Sequence, residues 1–135
     1  MVSWNNLDTL SSYKELADVK PACLTEVMSG DNGAERVKNY SIPMAAGLSY
    51  NYASKQVDEN VLAALEKLAD EAQLADKFKA LYNGEVVNTG EKRLVLHHMT
   101  RGQLGDAVEA DGVDKRTFYK TQQERIAEFA NKVHN

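Results

Sequence analysis

A chain of 135 residues with 43% hydrophobic and 27% charged side chains can bury a core and is too apolar for a disordered tail. Its 16 Lys and Arg are interleaved with 20 Asp and Glu, for a formal net charge of −4, which argues against a nucleic-acid partner or an acidic membrane surface. The absence of an apolar run of about 18 residues, a start without a basic or apolar leader and a lone cysteine, Cys23, lead to the expectation of no transmembrane helix, no secretory signal and no internal disulfide, with the cytoplasm as the expected compartment.

Residues 6–17 place Leu7, Leu10, Tyr13, Leu16 and Ala17 three to four apart, which predicts a helix. Pro21 opens a second, short helix through Leu24, Val27 and Met28, with Cys23 in its first turn as a small half-buried hydrophobe. Ser29-Gly30-Asp31-Asn32-Gly33 is expected to close that helix, and residues 34–40 to add a short turn or helix. The stretch 41–56 alternates only in part and is expected to be extended or irregular.

Residues 58–72 carry the clearest pattern. Asp58 is placed to cap the first turn. Val61, Leu62, Leu65, Leu68, Ala69 and Ala72 mark one face, and Glu59, Glu66, Lys67, Asp70 and Glu71 the other. A further helix at about 75–82 presents Phe78, Leu81 and Tyr82 and stops at Asn83-Gly84. Asn88-Thr89-Gly90-Glu91 has the spacing of a capping box. It predicts a helix through Leu94, Val95, His97, His98 and Met99 up to Gly102, with a buried strand at 93–98 as the competing reading. Residues 103–113 read as loop, and a last helix runs from Asp114 with Phe118, Ile126, Phe129, Ala130 and Val133 on one side. The expected fold is all-α: a compact bundle of five to seven helices in a single domain, 1–135, with an irregular segment around 41–56.

No constellation of catalytic side chains stands out. His97 and His98 are adjacent, so on a helix they point about 100° apart, and position 101 is Arg where a second ligand would be needed. The paired acids Asp58-Glu59 and Asp70-Glu71 suit a solvated helix face. The glycine-containing loops lack the spacing of a phosphate cradle, and Ser11-Ser12 lacks a nucleophile elbow. No catalytic residue, no cofactor and no metal ligand is therefore expected.

One string is specific. Residues Gly84-Glu85-Val86-Val87-Asn88-Thr89-Gly90-Glu91-Lys92-Arg93-Leu94-Val95-Leu96-His97-His98-Met99-Thr100-Arg101 resemble the glucose-6-phosphate isomerase pattern Gly-Glu-x-x-Asn-x-Thr-Glu-x-Arg-x-Val-Leu-His-x-Ala-Leu-Arg. Gly84, Glu85, Asn88, Glu91, Arg93, Val95, Leu96, His97 and Arg101 match without a gap. Upstream, Asn51-Tyr52-Ala53-Ser54-Lys55-Gln56-Val57 is similar to the family's Asp-Tyr-Ser-Lys-Asn-Arg-Ile. The resemblance implies the amino-terminal, non-catalytic segment of a protein that interconverts glucose 6-phosphate and fructose 6-phosphate through an enediol. The family's Glu base, its ring-opening His and Lys and its phosphate loops sit on two sugar-isomerase α/β domains, and no Gly-Ile-Gly-Gly-Ser-like loop occurs here.

The chain alone is therefore expected to be inactive. Gly84, Glu85, Asn88, Glu91, Arg93, His97 and Arg101 are expected to be structural: Arg93 and Arg101 pairing with Glu85 or Glu91, and His97 packing inward. The expected partners are the missing sugar-isomerase domains, or a second copy through an exposed apolar face, with no nucleic acid and no membrane. The competing readings are a stand-alone helical protein-binding module derived from this segment and a small enzyme built around His97-His98.

Overall fold

The computed structural model describes residues 2–102 and 105–134. Six α-helices and three two-stranded antiparallel hairpins follow one another, grouped into two compact units. The expectation of a mostly helical fold with an irregular stretch near 41–56 is met.

The first unit covers residues 5–72. A 3-10 turn at Leu7–Thr9 leads into α1 (Ser11–Asp18), then α2 (Leu24–Val27), α3 (Gly30–Asn39), the hairpin β1–β2 (Ser41–Pro43 with Ser49–Asn51) and α4 (Glu59–Glu71). The cap at α4 forms as its sequence predicts, with the Val61 N–H donating to Asp58 Oδ1 at 2.9 Å. The apolar face of α4 supplies the buried Val61 and Ala64, and α4 packs on α1. The third helix starts at Gly30 rather than near 34. Gly30, at φ +59°, begins the new helix instead of trailing the old one, because α2 is only one turn long and the chain must reverse at once.

Leu10, the residue before α1, has no side chain that could cap it. The cap comes instead from the last residue of α4. Glu71 Oε1 accepts from the Ser11 N–H at 3.2 Å and the Ser11 hydroxyl at 3.0 Å; Oε2 accepts from the Ser12 N–H at 2.8 Å and from the Ser12 hydroxyl. The Ser12 hydroxyl, then its N–H, hold the Glu71 carboxyl down at about 2, from 4.5. A carboxyl whose folded pKa is depressed stabilises the fold above its unfolded pKa and loses that contribution as pH falls through the folded one. The Glu71→Gln variant is thus expected to differ most from the parent near neutral pH, and the gap in urea midpoint should shrink as pH falls from about 4.5 towards 2. A gap that stays constant across that window would refute the remote cap.

The second unit contains residues 2–4 and the described part of 73–134. Its helix α5 (Leu74–Tyr82) ends at Asn83 as expected, with Gly84 at φ +75°. Then come the hairpin β3–β4 (Val86–Asn88 with Arg93–Leu94), a 3-10 turn at His97–Arg101, the hairpin β5–β6 (Glu109–Ala110 with Val113–Asp114) and α6 (Lys115–His134). The Ser3 N–H donates to Gln73 Oε1 at 2.9 Å, and Lys77 lies over the Trp4 ring, which ties residues 3–4 to α5. Leu96, Met99 and Val108 form a small buried cluster edged by Leu94 and Tyr119.

Two expectations are corrected in this unit. The Asn88–Glu91 box makes the first of its predicted bonds, the Glu91 N–H donating to Asn88 Oδ1 at 3.1 Å, while the Glu91 carboxylate accepts from the Asn88 side-chain amide (Nδ2 to Oε2, 3.3 Å); the pair closes a hairpin and starts no α-helix. Lys92 at φ +54° turns the chain out of the helical region, and the β-branched pair Val86-Val87 lies in the preceding strand, with Val86 opposite Leu94. The strand reading of 93–98 holds only for Arg93 and Leu94. In the stretch expected to be loop, residues 109–114 form β5–β6 around Asp111-Gly112, both at positive φ, which is the backbone a tight hairpin turn needs; residues 103–104 lie outside the described set.

Candidate functional site

The string singled out above runs from the end of α5, through β3–β4, into the 3-10 turn. Gly84 is required at its position: a Cβ there would stand 2.2 Å from Val108 Cγ1. The Gly84 and Glu85 N–H groups donate back to Leu81 and Ala80 carbonyls at 3.1 and 2.9 Å, so the matched residues begin as a helix terminator. Asn88 and Glu91 build the hairpin turn. Arg93 pairs with Glu91 at 3.7 Å, as expected, with both side chains well exposed, so the pair contributes little stability.

The other expected roles are redistributed. Arg101 forms no ion pair among the described residues. His97 is exposed, whereas its neighbour His98 turns inward and stacks on the Tyr82 ring at 4.6 Å. In the tight 3-10 turn it is Met99, fully buried, that takes the core position, and this rotates the inward side of the segment from 97 to 98–99. Both His98 ring nitrogens are buried with no hydrogen-bond partner.

A residue outside the matched string organises its surroundings. Arg116, in the first turn of α6, is buried; its Nε donates to the Asp106 carbonyl and its Nη2 to the Tyr82 carbonyl at 2.9 Å. Asp114 caps α6, accepting from the N–H groups of Arg116 and Thr117 at 3.1 and 3.2 Å and from the Thr117 hydroxyl at 2.5 Å. The hydroxyl bond above all, then these N–H groups and that of Val108, hold the Asp114 carboxyl below its ordinary range. The Asp114-x-x-Thr117 spacing was a readable signal for this cap. Nothing local marks Arg116, because its partners lie 10 and 34 residues away.

Most of these groups bond to the backbone around them. Among the described residues no three His, Cys, Asp or Glu side chains stand together as metal ligands. The surface clefts are shallow: one is edged by Pro21, Cys23, Glu26 and Asp58, another by Ile42, Tyr50, Tyr52 and Leu65, and a third by Gly105, Asp114, Arg116 and Lys120. Cys23, expected to be half-buried, is exposed. In the third of these clefts the Thr117 hydroxyl is taken up by the Asp114 carboxylate that caps α6. No helix among the described residues is long and apolar enough to cross a membrane.

The family pattern described as phosphoglucose isomerase matches residues 51–135. The glucose-6-phosphate isomerase of Treponema denticola is 42% identical over 139 residues, covering 99% of this chain and 26% of that protein. Its counterpart from Borreliella afzelii is 41% identical over 137 residues, covering 100% of this chain and 25% of that protein. That of Shewanella woodyi is 36% identical over 110 residues, covering 82% of this chain and 20% of that protein. The chain thus spans about a quarter of the length of its most similar curated relatives, and it matches their amino-terminal quarter. These relatives are isomerases by name; none is a stand-alone binding module.

Proposed function

Because the chain belongs to the phosphoglucose isomerase family, we propose that it is the helical, non-catalytic part of a cytoplasmic sugar-phosphate isomerase, inactive alone and completed by catalytic α/β domains that it helps to hold. The substrate under this reading is glucose 6-phosphate, which the relatives' name states for them, and its isomerisation product is the ketose fructose 6-phosphate.

The observation that carries the proposal is the near-complete alignment of this chain with about one quarter of each of two glucose-6-phosphate isomerases, together with the family pattern over residues 51–135. The distribution of apolar surface supports it. Leu48, Leu74, Phe78, Ile126, Phe129 and Val133 are each 60% exposed or more, while Met99 is the one large side chain fully buried among the described residues. A fold that leaves this much apolar side chain in water gains stability when a further body covers it.

In an assay coupled to glucose-6-phosphate oxidation, the chain alone is expected to give no turnover above background. The Treponema denticola enzyme with its aligned quarter replaced by this chain is expected to be active. Turnover by the chain alone would remove the non-catalytic reading, and an inactive, folded chimaera would remove the isomerase one.

A further inference from the structure

We propose that the last three turns of α6 act as a helix-in-groove anchor: Ile126, Phe129 and Val133 insert into an apolar groove on a protein partner whose rim carries carboxylates facing Arg125 and Lys132. The inference rests on the isomerase reading, which places that groove on the three quarters of the relatives' length that this chain does not span.

The argument begins with what holds α6. Its amino-terminal half is fixed by buried Arg116, by Tyr119 at the core cluster and by the Gln123 side-chain amide, which donates to the Thr100 carbonyl at 2.6 Å. Beyond Gln123 no tertiary hydrogen bond or ion pair forms among the described residues, and Ile126, Phe129 and Val133 are 68%, 68% and 65% exposed. Three helical turns with no packed face are marginal in water, so the helix needs cover.

The pattern states what kind of cover fits. At about 100° per residue, positions 126, 129 and 133 fall within an arc of about 60°, the i, i+3, i+7 spacing by which helices enter apolar grooves. Arg125 and Lys132 border that arc on one side, and neither forms an ion pair among the described residues. Of the acids in the same segment, Glu124 lies on the opposite face and Glu128 lies behind the basic edge, farther from the stripe than Arg125 and Lys132. A basic edge on a chain of net charge −4 is a local asymmetry, and acidic groups across the interface complement it. A second copy fits less well. Antiparallel α6 pairing sets Arg125 and Lys132 against themselves, and parallel pairing sets them against the positions of Gln123 and Ala130, which offer no charge. A lipid surface fits less well too, because the stripe holds only three large apolar residues and the chain as a whole is anionic.

The test uses the full-length chimaera described above. Arg125→Glu with Lys132→Glu should lower its melting temperature at low salt, with the gap closing at high salt, while Glu124→Lys on the opposite face should leave it unchanged. Ile126→Asp with Phe129→Asp should lower both the melting temperature and the yield of active enzyme; the charge pair keeps the idea testable if that variant does not fold. An active chimaera indifferent to both substitutions at 125 and 132 overturns the anchor and spares the isomerase reading, whereas an inactive parent chimaera removes both. For the chain alone, a dimer in sedimentation equilibrium abolished by Ile126→Asp, or co-sedimentation with phosphatidylserine vesicles, would overturn the acidic-groove partner in favour of self-association or lipid.

Discussion

Replacing Arg36 by leucine is expected to destabilise the chain by about 4 kcal/mol, a large part of the roughly 5–15 kcal/mol that holds a domain of this size together. Arg36 on α3 is buried at 7% exposure and has no carboxylate partner among the described residues. Its guanidinium instead gathers three backbone carbonyls from the turn before α4: Nε donates to Ala53 at 2.8 Å, and Nη2 to Lys55 at 3.1 Å and Val57 at 2.6 Å. The Tyr40 ring lies 4.0 Å beneath the guanidinium carbon. Hydrogen bonds from a charged donor contribute about 1.5–3 kcal/mol each, and part of the loss is recovered as water reaches the freed carbonyls. Arg36→Lys is expected to restore little of it, because an ammonium is a point charge and lacks the planar fork that spans three acceptors. Urea denaturation followed by circular dichroism checks both variants; an Arg36→Leu protein within about 1 kcal/mol of the parent would show that the turn at 53–57 holds itself.

The second large effect is expected at Gly84. A methyl group there meets two penalties at once: a backbone at φ +75°, which costs a side chain about 1–2 kcal/mol, and the Val108 side chain, whose Cγ1 would lie 2.2 Å away. Overpacking of this kind adds roughly 1–3 kcal/mol, so Gly84→Ala is expected to cost about 3 kcal/mol in all. Gly47 provides the control. Its φ of +73° is nearly the same and nothing stands within 4 Å of its added Cβ, so Gly47→Ala isolates the backbone share. If the two substitutions cost the same, the contact with Val108 is not what demands glycine at 84. Partial rescue of Gly84→Ala by Val108→Ala is expected on the same argument.

These positions differ in how far they could be read in advance. Gly84 stood in the matched string, and its role as a helix terminator follows from local spacing, but the Val108 contact is 24 positions away in the chain and leaves no mark on the pattern around Gly84. Arg36 fell in a stretch read only as a turn or short helix. The segment it clamps, 53–57, was legible as a family resemblance, with no hint of what holds it. His97 and His98 show the same limit. Both lie in an apolar run, and which of them faces inward depends on whether the run coils as an α-helix or as a 3-10 turn.

By itself the sequence determined the elements whose signals are complete within one turn or one face: the Asp58 cap and amphipathic α4, the stop at Asn83-Gly84, and the start of α6 at Asp114. It also determined the kinship, since an ungapped string of matched residues survives whatever the chain does in space. Only the tertiary structure decided the use of Asn88 and Glu91, because the Asn88 side chain accepts from the N–H three residues on both at a helix start and at a hairpin turn. The choice between them is set further along the chain, where strand residues find a partner and Lys92 is held in the left-handed region. It likewise decided that Glu71 caps α1 and that Arg36 and Arg116 are interior residues. Each depends on acceptors or donors brought close by packing, and a linear pattern carries no information about which distant backbone groups will need a partner.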